Sequence, residues 1–305
     1  MKVDPDRFLF PQEPYPCWEF FTPFSRPVEN RANASVTGSW RFFWARNAIY
    51  WALKALKVSP KAHVLLPAYL CKAAVEPFRE YGSEVEFYGV NRRCEPDFRE
   101  IESKIGKSTE VVMAVHYFGF PQDLRQFREL CDRHGLMLLE DCAHALPRRA
   151  NDTPIGRYGD ASVFSWRKFL PVHDGGELRL KNNSIRIENH RQSEGFGSSL
   201  RILKHEIDRM LDGSSSRLAM AASATIDLAK RGWMRRSPRA TRDPQPMIER
   251  NSISFDLRTL DLPMSRVSRW LLRHSDVDAI VERRRENYLP PGRAAFDRYP
   301  DCAPP

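Results

Sequence analysis

Between residues 44 and 165, short apolar runs alternate with stretches whose apolar residues recur at helical spacing. That alternation constrains the fold more than any other feature. "WARNAIYWALKALKVSP" places Ala48, Tyr50, Trp51, Ala52, Ala55 and Leu56 at helical intervals and ends at a stop signal. "HVLLPAY" then reads as a buried strand, "CKAAVEPFREYG" as a helix and "EVEFYGV" as a strand. "EVVMAVHYFGF" is a further strand, "QDLRQFRELCDRHG" an amphipathic helix, and "LMLLED" and "DASVFSW" two more strands. Strands separated by helices of about 10–15 residues predict a mainly parallel sheet wrapped by helices, an α/β fold. In such sheets ligands collect beyond the carboxyl ends of the strands. His116, Asp141 and the segment after Ser165 all fall there.

The flanks differ in texture. Residues 1–40 read as an irregular arm broken by six prolines, at 5, 11, 14, 16, 23 and 27. After 184, "SSLRILKHEIDRMLDG" and "SSSRLAMAASATIDLAKRG" read as helices, "SPRATRDPQP" as a linker, and "MSRVSRWLLRHSDVDAIVERRRENY" as a long helix or helix pair. With 42% hydrophobic and 29% charged residues the chain can bury a core. No run approaches the roughly 18 apolar residues of a membrane span, and the N-terminus lacks the apolar stretch of a signal peptide. A cytoplasmic protein without membrane association is expected. The net charge of +9 is concentrated in "KRGWMRRSPRATR" (230–242). No helix-turn-helix, finger or RNP-like pattern accompanies it, so it reads as a solvated linker, with no nucleic-acid partner. The six cysteines show no CxxC pairing and read as reduced, mostly core residues.

Two segments carry chemistry. In "LMLLEDCAHALPRR" (136–149) a buried strand runs into Glu140, Asp141, Cys142 and His144. Alternation along a strand turns Glu140 away from Asp141, and Cys142 reads as packing. Asp141 either caps a neighbouring turn or holds a cofactor. In "GDASVFSWRKFLPVHDGGELRL" (159–180) a strand delivers Ser165 and then Lys168, ahead of Gly175 and Gly176. Alone, that lysine is a surface residue and Gly-Gly a hairpin turn. Lys168 can form a Schiff base if burial or the neighbouring Arg167 depresses its pKa. Pyridoxal 5'-phosphate (PLP) needs a lysine for its aldehyde, an acid for its ring nitrogen and donors for its phosphate. Asp141 and Lys168 supply the first two. Ser165 and the free N–H groups where a helix starts at Arg46 could supply the third.

"VLLPAYLC", "AVHYFGFPQDL", "HGLMLLEDCAHAL", "GDASVFSWRKFLPVHDGG" and "VERRRENY" follow one another as they do in the DegT-type nucleotide-sugar aminotransferases, and the chain resembles that family over about residues 40–290. The resemblance implies an aspartate aminotransferase-like fold (PLP fold type I). Residues 41–245 would form a three-layer large domain with a mainly parallel mixed sheet, after the arm at 1–40. Residues 246–305 would form an incomplete C-terminal small domain. Lys168 looks like the Schiff-base lysine and proton shuttle, Asp141 like the partner of the pyridinium nitrogen, and His144 like the neighbour of the phenolic oxygen. Ser165, with Arg46 and Asn47, would hold the phosphate. "WARNAI" stands where the family has a Ser-Gly-Thr-Ala-like loop. Either Tyr69 stacks on the cofactor ring or Cys71 occupies that slot. His116 is expected on the pocket floor in a structural role, and His173 in a turn.

The implied reaction moves an amino group from an amino acid, glutamate being expected, to a nucleotide-linked keto-sugar, in the context of cell-surface polysaccharide synthesis. The implied assembly is a homodimer, with "FFTPF" and "SWRFFW" in its contact or in the core. The alternatives are a PLP-dependent keto-sugar dehydratase and a non-catalytic homologue that acts as a binding partner. Retention of Lys168 argues against the dehydratase, whose known examples carry histidine there.

Overall fold

The computed structural model describes residues 38–146, 149–150, 153–185, 187, 202, 255–277 and 279–280. Strands β1 (Ser39–Phe42), β2 (His63–Pro67), β3 (Glu84–Tyr88), β4 (Thr109–Val115), β5 (Met137–Cys142), β8 (Ala161–Ser165) and β9 (Gly176–Leu180) form one seven-stranded sheet. Its order is β1-β9-β8-β5-β4-β2-β3. Neighbours from β8 to β3 run parallel, whereas β9 lies antiparallel to both β8 and β1. A two-stranded ribbon, β6 (Arg149–Ala150) and β7 (Thr153–Pro154), stands apart from it.

Alternation along the strands divides the core between two helical layers. Val64, Leu66, Val111, Met113, Val115, Leu139, Val163 and Leu178 face α1 (Ala45–Ala55) and α2 (Lys72–Tyr81). Leu65, Val112, Ala114 and Leu138 face α3 (Phe98–Ser103) and α4 (Leu124–His134). The expected three-layer α/β architecture with a mainly parallel mixed sheet is what forms. Local chemistry sets the helix limits. Asp97 accepts the N–H of Arg99 and Glu100 at the start of α3, and Asp123 accepts that of Gln126 at the start of α4. α4 stops at Gly135, whose φ of 67° needs no Cβ accommodation.

Two expectations need amending, and one open alternative narrows. β1 begins at Ser39, so the last residues assigned to the arm belong to the sheet edge. Phe42, Phe43 and Trp44 of "SWRFFW" are buried, which gives that segment a core role. Gly175 and Gly176 do not close a tight hairpin, because ten residues (166–175) separate β8 from β9 and Gly176 opens β9. A Cβ at Gly176 would lie 2.3 Å from the Trp44 carbonyl oxygen and 2.5 Å from the Ala45 nitrogen. Glycine is what lets the start of α1 press onto the sheet.

Residues 262–264 run beside β1, with Phe43 donating to the Leu262 carbonyl and Met264 to that of Arg41. They lead into α5 (Arg266–His274), the first half of the expected terminal helix pair, which breaks at Ser275. Asp174 is buried and accepts the Ser265 N–H at 2.8 Å and the Ser268 hydroxyl at 3.1 Å, tying α5 to the loop before Gly175. Among the described residues no helix is long and apolar enough to cross a membrane. "FFTPF", the two helices expected after 184 apart from Ile202, the basic run 230–242 and "RRRENY" lie outside the described residues.

Candidate active site

Lys168, Asp141 and His144 come together at the carboxyl ends of β5 and β8. The two strands are parallel neighbours, with Asp141 opposite Val163 and Cys142 opposite Phe164. Beyond Ser165 the chain makes a short helical turn, Trp166–Lys168. Two bonds hold that turn. Trp166 donates its backbone N–H to the Gly175 carbonyl at 2.8 Å, and its indole N–H to Glu177 Oε2 at 2.8 Å.

The electrostatics of the three groups interlock. Burial pushes the Lys168 ammonium below its ordinary pKa; Asp141 and Cys71 pull it back up and Arg167 adds to the depression. The condition set by the sequence for a reactive lysine, burial with a cation beside it, is met. Burial also lowers the His144 imidazole, and Lys168 lowers it further against the pull of Asp141. His144 Nδ1 is buried and makes no hydrogen bond. The His144 ring stacks on Phe118 at 5.9 Å. Asp141 is 7% exposed, and one of its carboxylate oxygens accepts the Ala143 N–H at 2.8 Å.

Other predicted residues separate. Ser165 is buried and stands opposite Gly176, which itself carries the start of α1, so Ser165 lies next to that helix's N-terminal end. Arg46 is on the first turn of α1, where no acidic side chain and no side-chain cap compete for an anion. Asn47 is not brought in: its amide nitrogen donates to the Thr259 carbonyl at 2.6 Å and its backbone N–H to that of Trp44. That side chain anchors residues 255–264 to α1, together with Trp51, which donates to the Leu260 carbonyl at 3.2 Å. Tyr69 is 59% exposed and leans on Tyr117 at 5.5 Å, whereas Cys71, the alternative for that slot, acts on Lys168 directly.

His116 keeps its structural role but not its expected place. It continues the α4-facing side of β4, where it is fully buried against Glu140 rather than lining the Asp141 side. The Gln122 backbone N–H donates to His116 Nδ1 at 3.2 Å, so Nε2 carries the proton and donates it to Glu140 Oε2 at 3.2 Å. His173 sits in the expected turn and packs edge-on against Phe43. Tyr117 was not foreseen. Burial raises its phenol, Cys94 and Asp141 add to the shift, and its hydroxyl donates to the Tyr69 carbonyl at 2.8 Å. Its position just past the end of β4 was the available signal.

A buried amine, a carboxylate and an imidazole nitrogen without a hydrogen bond are thus gathered at adjacent strand ends. Comparisons with known proteins bear on their role. The chain is 33% identical over 144 residues to GDP-perosamine synthase of Vibrio cholerae, covering 46% of this chain and 39% of that protein. It is 31% identical over 153 residues to UDP-N-acetyl-3-dehydro-alpha-D-glucosamine 3-aminotransferase of Acidithiobacillus ferrooxidans, covering 47% and 42%. The chain thus spans about two fifths of the length of these curated relatives. Among solved structures, the aminotransferase TlmJ of Streptoalloteichus hindustanus aligns with a TM-score of 0.45 and 27% identity over 48% of this chain and 41% of that one. Residues 45–232 match the profile of the DegT/DnrJ/EryC1/StrS aminotransferase family. That span includes α1, the acid-bearing strand and the lysine turn, and the chain belongs to this family.

Proposed function

We propose that this chain carries the cofactor-binding half of a PLP-dependent aminotransferase, one that transfers an amino group from glutamate to a nucleotide-linked keto-sugar. The observation that carries the reading is that Lys168 and Asp141, from the neighbouring strand ends of β8 and β5, lie within electrostatic reach of each other. The curated relatives bear names of sugar aminotransferases and of a perosamine synthase, which supports the substrate class. A cytoplasmic homodimer is part of the same proposal.

The residues present fit PLP. The Nδ1 of His144, beside Lys168 and Asp141, is left without a hydrogen-bond partner that the cofactor's phenolic oxygen would supply. When bound, PLP supplies an electron sink that makes the α-hydrogen of an attached amine acidic. Lys168 would hold its aldehyde and later carry a proton between the substrate carbon and the cofactor carbon. The depressed basicity of that amine favours the uncharged form able to accept a proton. Asp141 would keep the ring nitrogen protonated. The Ala143 N–H holds one of its oxygens in place. Ser165 and the start of α1 would hold the phosphate.

The test is chemical. PLP is added to the protein, reduced with borohydride, and the adduct is located by mass spectrometry. A cofactor mass on the peptide that contains Lys168, absent from Lys168→Ala, is the expected result. Equal visible absorbance for the wild-type chain and Lys168→Ala in the presence of PLP overturns the reading.

A further inference from the structure

Phe118, just past the end of β4, is 64% exposed, yet its φ of 54° lies in the left-handed region that a bulky side chain adopts only at a cost. Burial of so exposed a ring does not offset that cost. The corner is nevertheless held. Phe120 donates its N–H to the Tyr117 carbonyl at 2.9 Å, and the Tyr117 hydroxyl donates to the Tyr69 carbonyl at 2.8 Å. Strain kept in place at the rim of a site points to a contact that the strained conformation makes.

That contact is with His144. The two rings stack with centroids 5.9 Å apart and planes inclined by 23°. Gly119 approaches the same residue along its backbone, where a Cβ would lie 3.1 Å from the His144 carbonyl oxygen. A functional imidazole is ordinarily oriented by a hydrogen bond to one of its nitrogens. His144 Nδ1 is buried and has none. Torsional preference does not set the ring either, because rotation about the Cβ–Cγ bond of histidine has broad minima. What limits that rotation is the phenyl ring lying on one face of the imidazole. Lys168 and Asp141 are the charged groups that act on the same ring.

We propose that Phe118 is a positioning residue: its left-handed conformation lays the phenyl ring on His144 and holds the imidazole with Nδ1 turned into the Lys168 site. The effect on cofactor binding rests on the function proposed above; the hold on the imidazole does not. Phe118 acts through His144 and itself touches neither cofactor nor substrate.

The test is a double-mutant cycle of Phe118→Asn and His144→Gln, read by visible absorbance titration of the 305-residue chain with PLP. Phe118→Asn should lose about 3- to 10-fold of the PLP affinity, the range for one neutral hydrogen bond. It should lose nothing further in the His144→Gln background, and Phe118→Tyr should keep the wild-type affinity. Asparagine adopts the left-handed backbone readily, so Phe118→Asn should melt no lower than the wild-type chain. Unchanged affinity of Phe118→Asn, losses that simply add, or a lower melting temperature overturns the proposal; the last would assign the ring to the fold. The imidazole is read separately, by nuclear magnetic resonance of the histidines in the cofactor-free chain, with His144→Gln identifying its signal. Phe118→Asn should raise the pKa of His144 toward its ordinary value, because part of the burial that lowers it is lost. An unchanged titration overturns the hold on the imidazole. Should no PLP attach to Lys168 of the wild-type chain, the proposed function fails, and this titration alone decides the role of Phe118.

Discussion

Glu140 and Asp141 are adjacent in the chain, yet their carboxylates leave β5 on opposite faces of the sheet. Glu140 is fully buried on the α4 side, where it accepts the N–H groups of Gly156 and Gly159 and the Nε2–H of His116. Asp141 faces the α1 side beside Lys168 and His144. The pleat of one strand thus assigns one acid to the fold and its neighbour to the site.

The two acids should therefore respond differently to loss of charge. Glu140→Gln presents an amide to donors that need a carboxylate, and should destabilise the chain by about 3 kcal/mol. Asp141→Asn can still accept the Ala143 N–H, and should change stability by less than about 1 kcal/mol. It should nevertheless weaken PLP binding strongly, because an amide cannot hold the ring nitrogen protonated. Urea unfolding and PLP titration of both variants separate the effects.

The parallel core was legible because its signals are local: apolar runs of strand length, helical spacing, and caps such as Asp123 and Gly135. β9 escaped because its Glu177 reads as a surface charge. Its burial depends on Trp166, Arg41 and Arg179, two of which lie on other elements. α3 escaped through brevity, although Asp97 was a usable start signal. Lys168, Asp141 and His144 were legible as a group because each sits at a strand end in the matching motifs. The bond from Asn47 to the Thr259 carbonyl was not legible, because that carbonyl comes from the far end of the chain, where no local pattern announces it.

Gly176 is the steric hinge between α1 and the sheet. Gly176→Ala would drive a methyl group into the Trp44 carbonyl and the Ala45 nitrogen, both backbone atoms that no rotamer change can clear. Destabilisation of about 3 kcal/mol is expected, at the upper end of ordinary overpacking. The displaced start of α1 should also lower PLP affinity in whatever fraction remains folded. Thermal melts with and without PLP would show both effects. An unchanged melting temperature would contradict the packing described here.

Glu177 holds the lysine turn in place. Besides the Trp166 indole it accepts from Arg41 Nε at 3.4 Å and Arg179 Nε at 2.6 Å, while being 1% exposed. Glu177→Ala would leave the indole N–H and two partly buried cations without their acceptor. A loss of about 3 kcal/mol is expected from urea unfolding. Glu177→Gln should retain a bond from Trp166 and lose less. If borohydride labelling of Lys168 falls in Glu177→Ala under conditions where it is folded, the turn depends on this carboxylate.

Lys168 and His144 should both make the cofactor-free protein less stable at lower pH. Each has a pKa below its ordinary value in the folded chain, first through burial. Between the folded and unfolded pKa values the unfolded chain binds more protons, so stability rises with pH across each window. For His144 the window ends near the ordinary value of about 6.5, and for Lys168 near about 10.4. At neutral pH the Lys168 ammonium is still charged in the unfolded chain and its burial cost is present. Lys168→Met should therefore raise the melting temperature of the cofactor-free chain at pH 7, and the gain should shrink as the pH approaches 10. His144→Gln should flatten the fall in stability between pH 7 and pH 5. Melting curves of the three proteins over pH 5–10 decide the matter, and a Lys168→Met variant less stable than the wild-type chain at pH 7 would show that the amine is not buried as described.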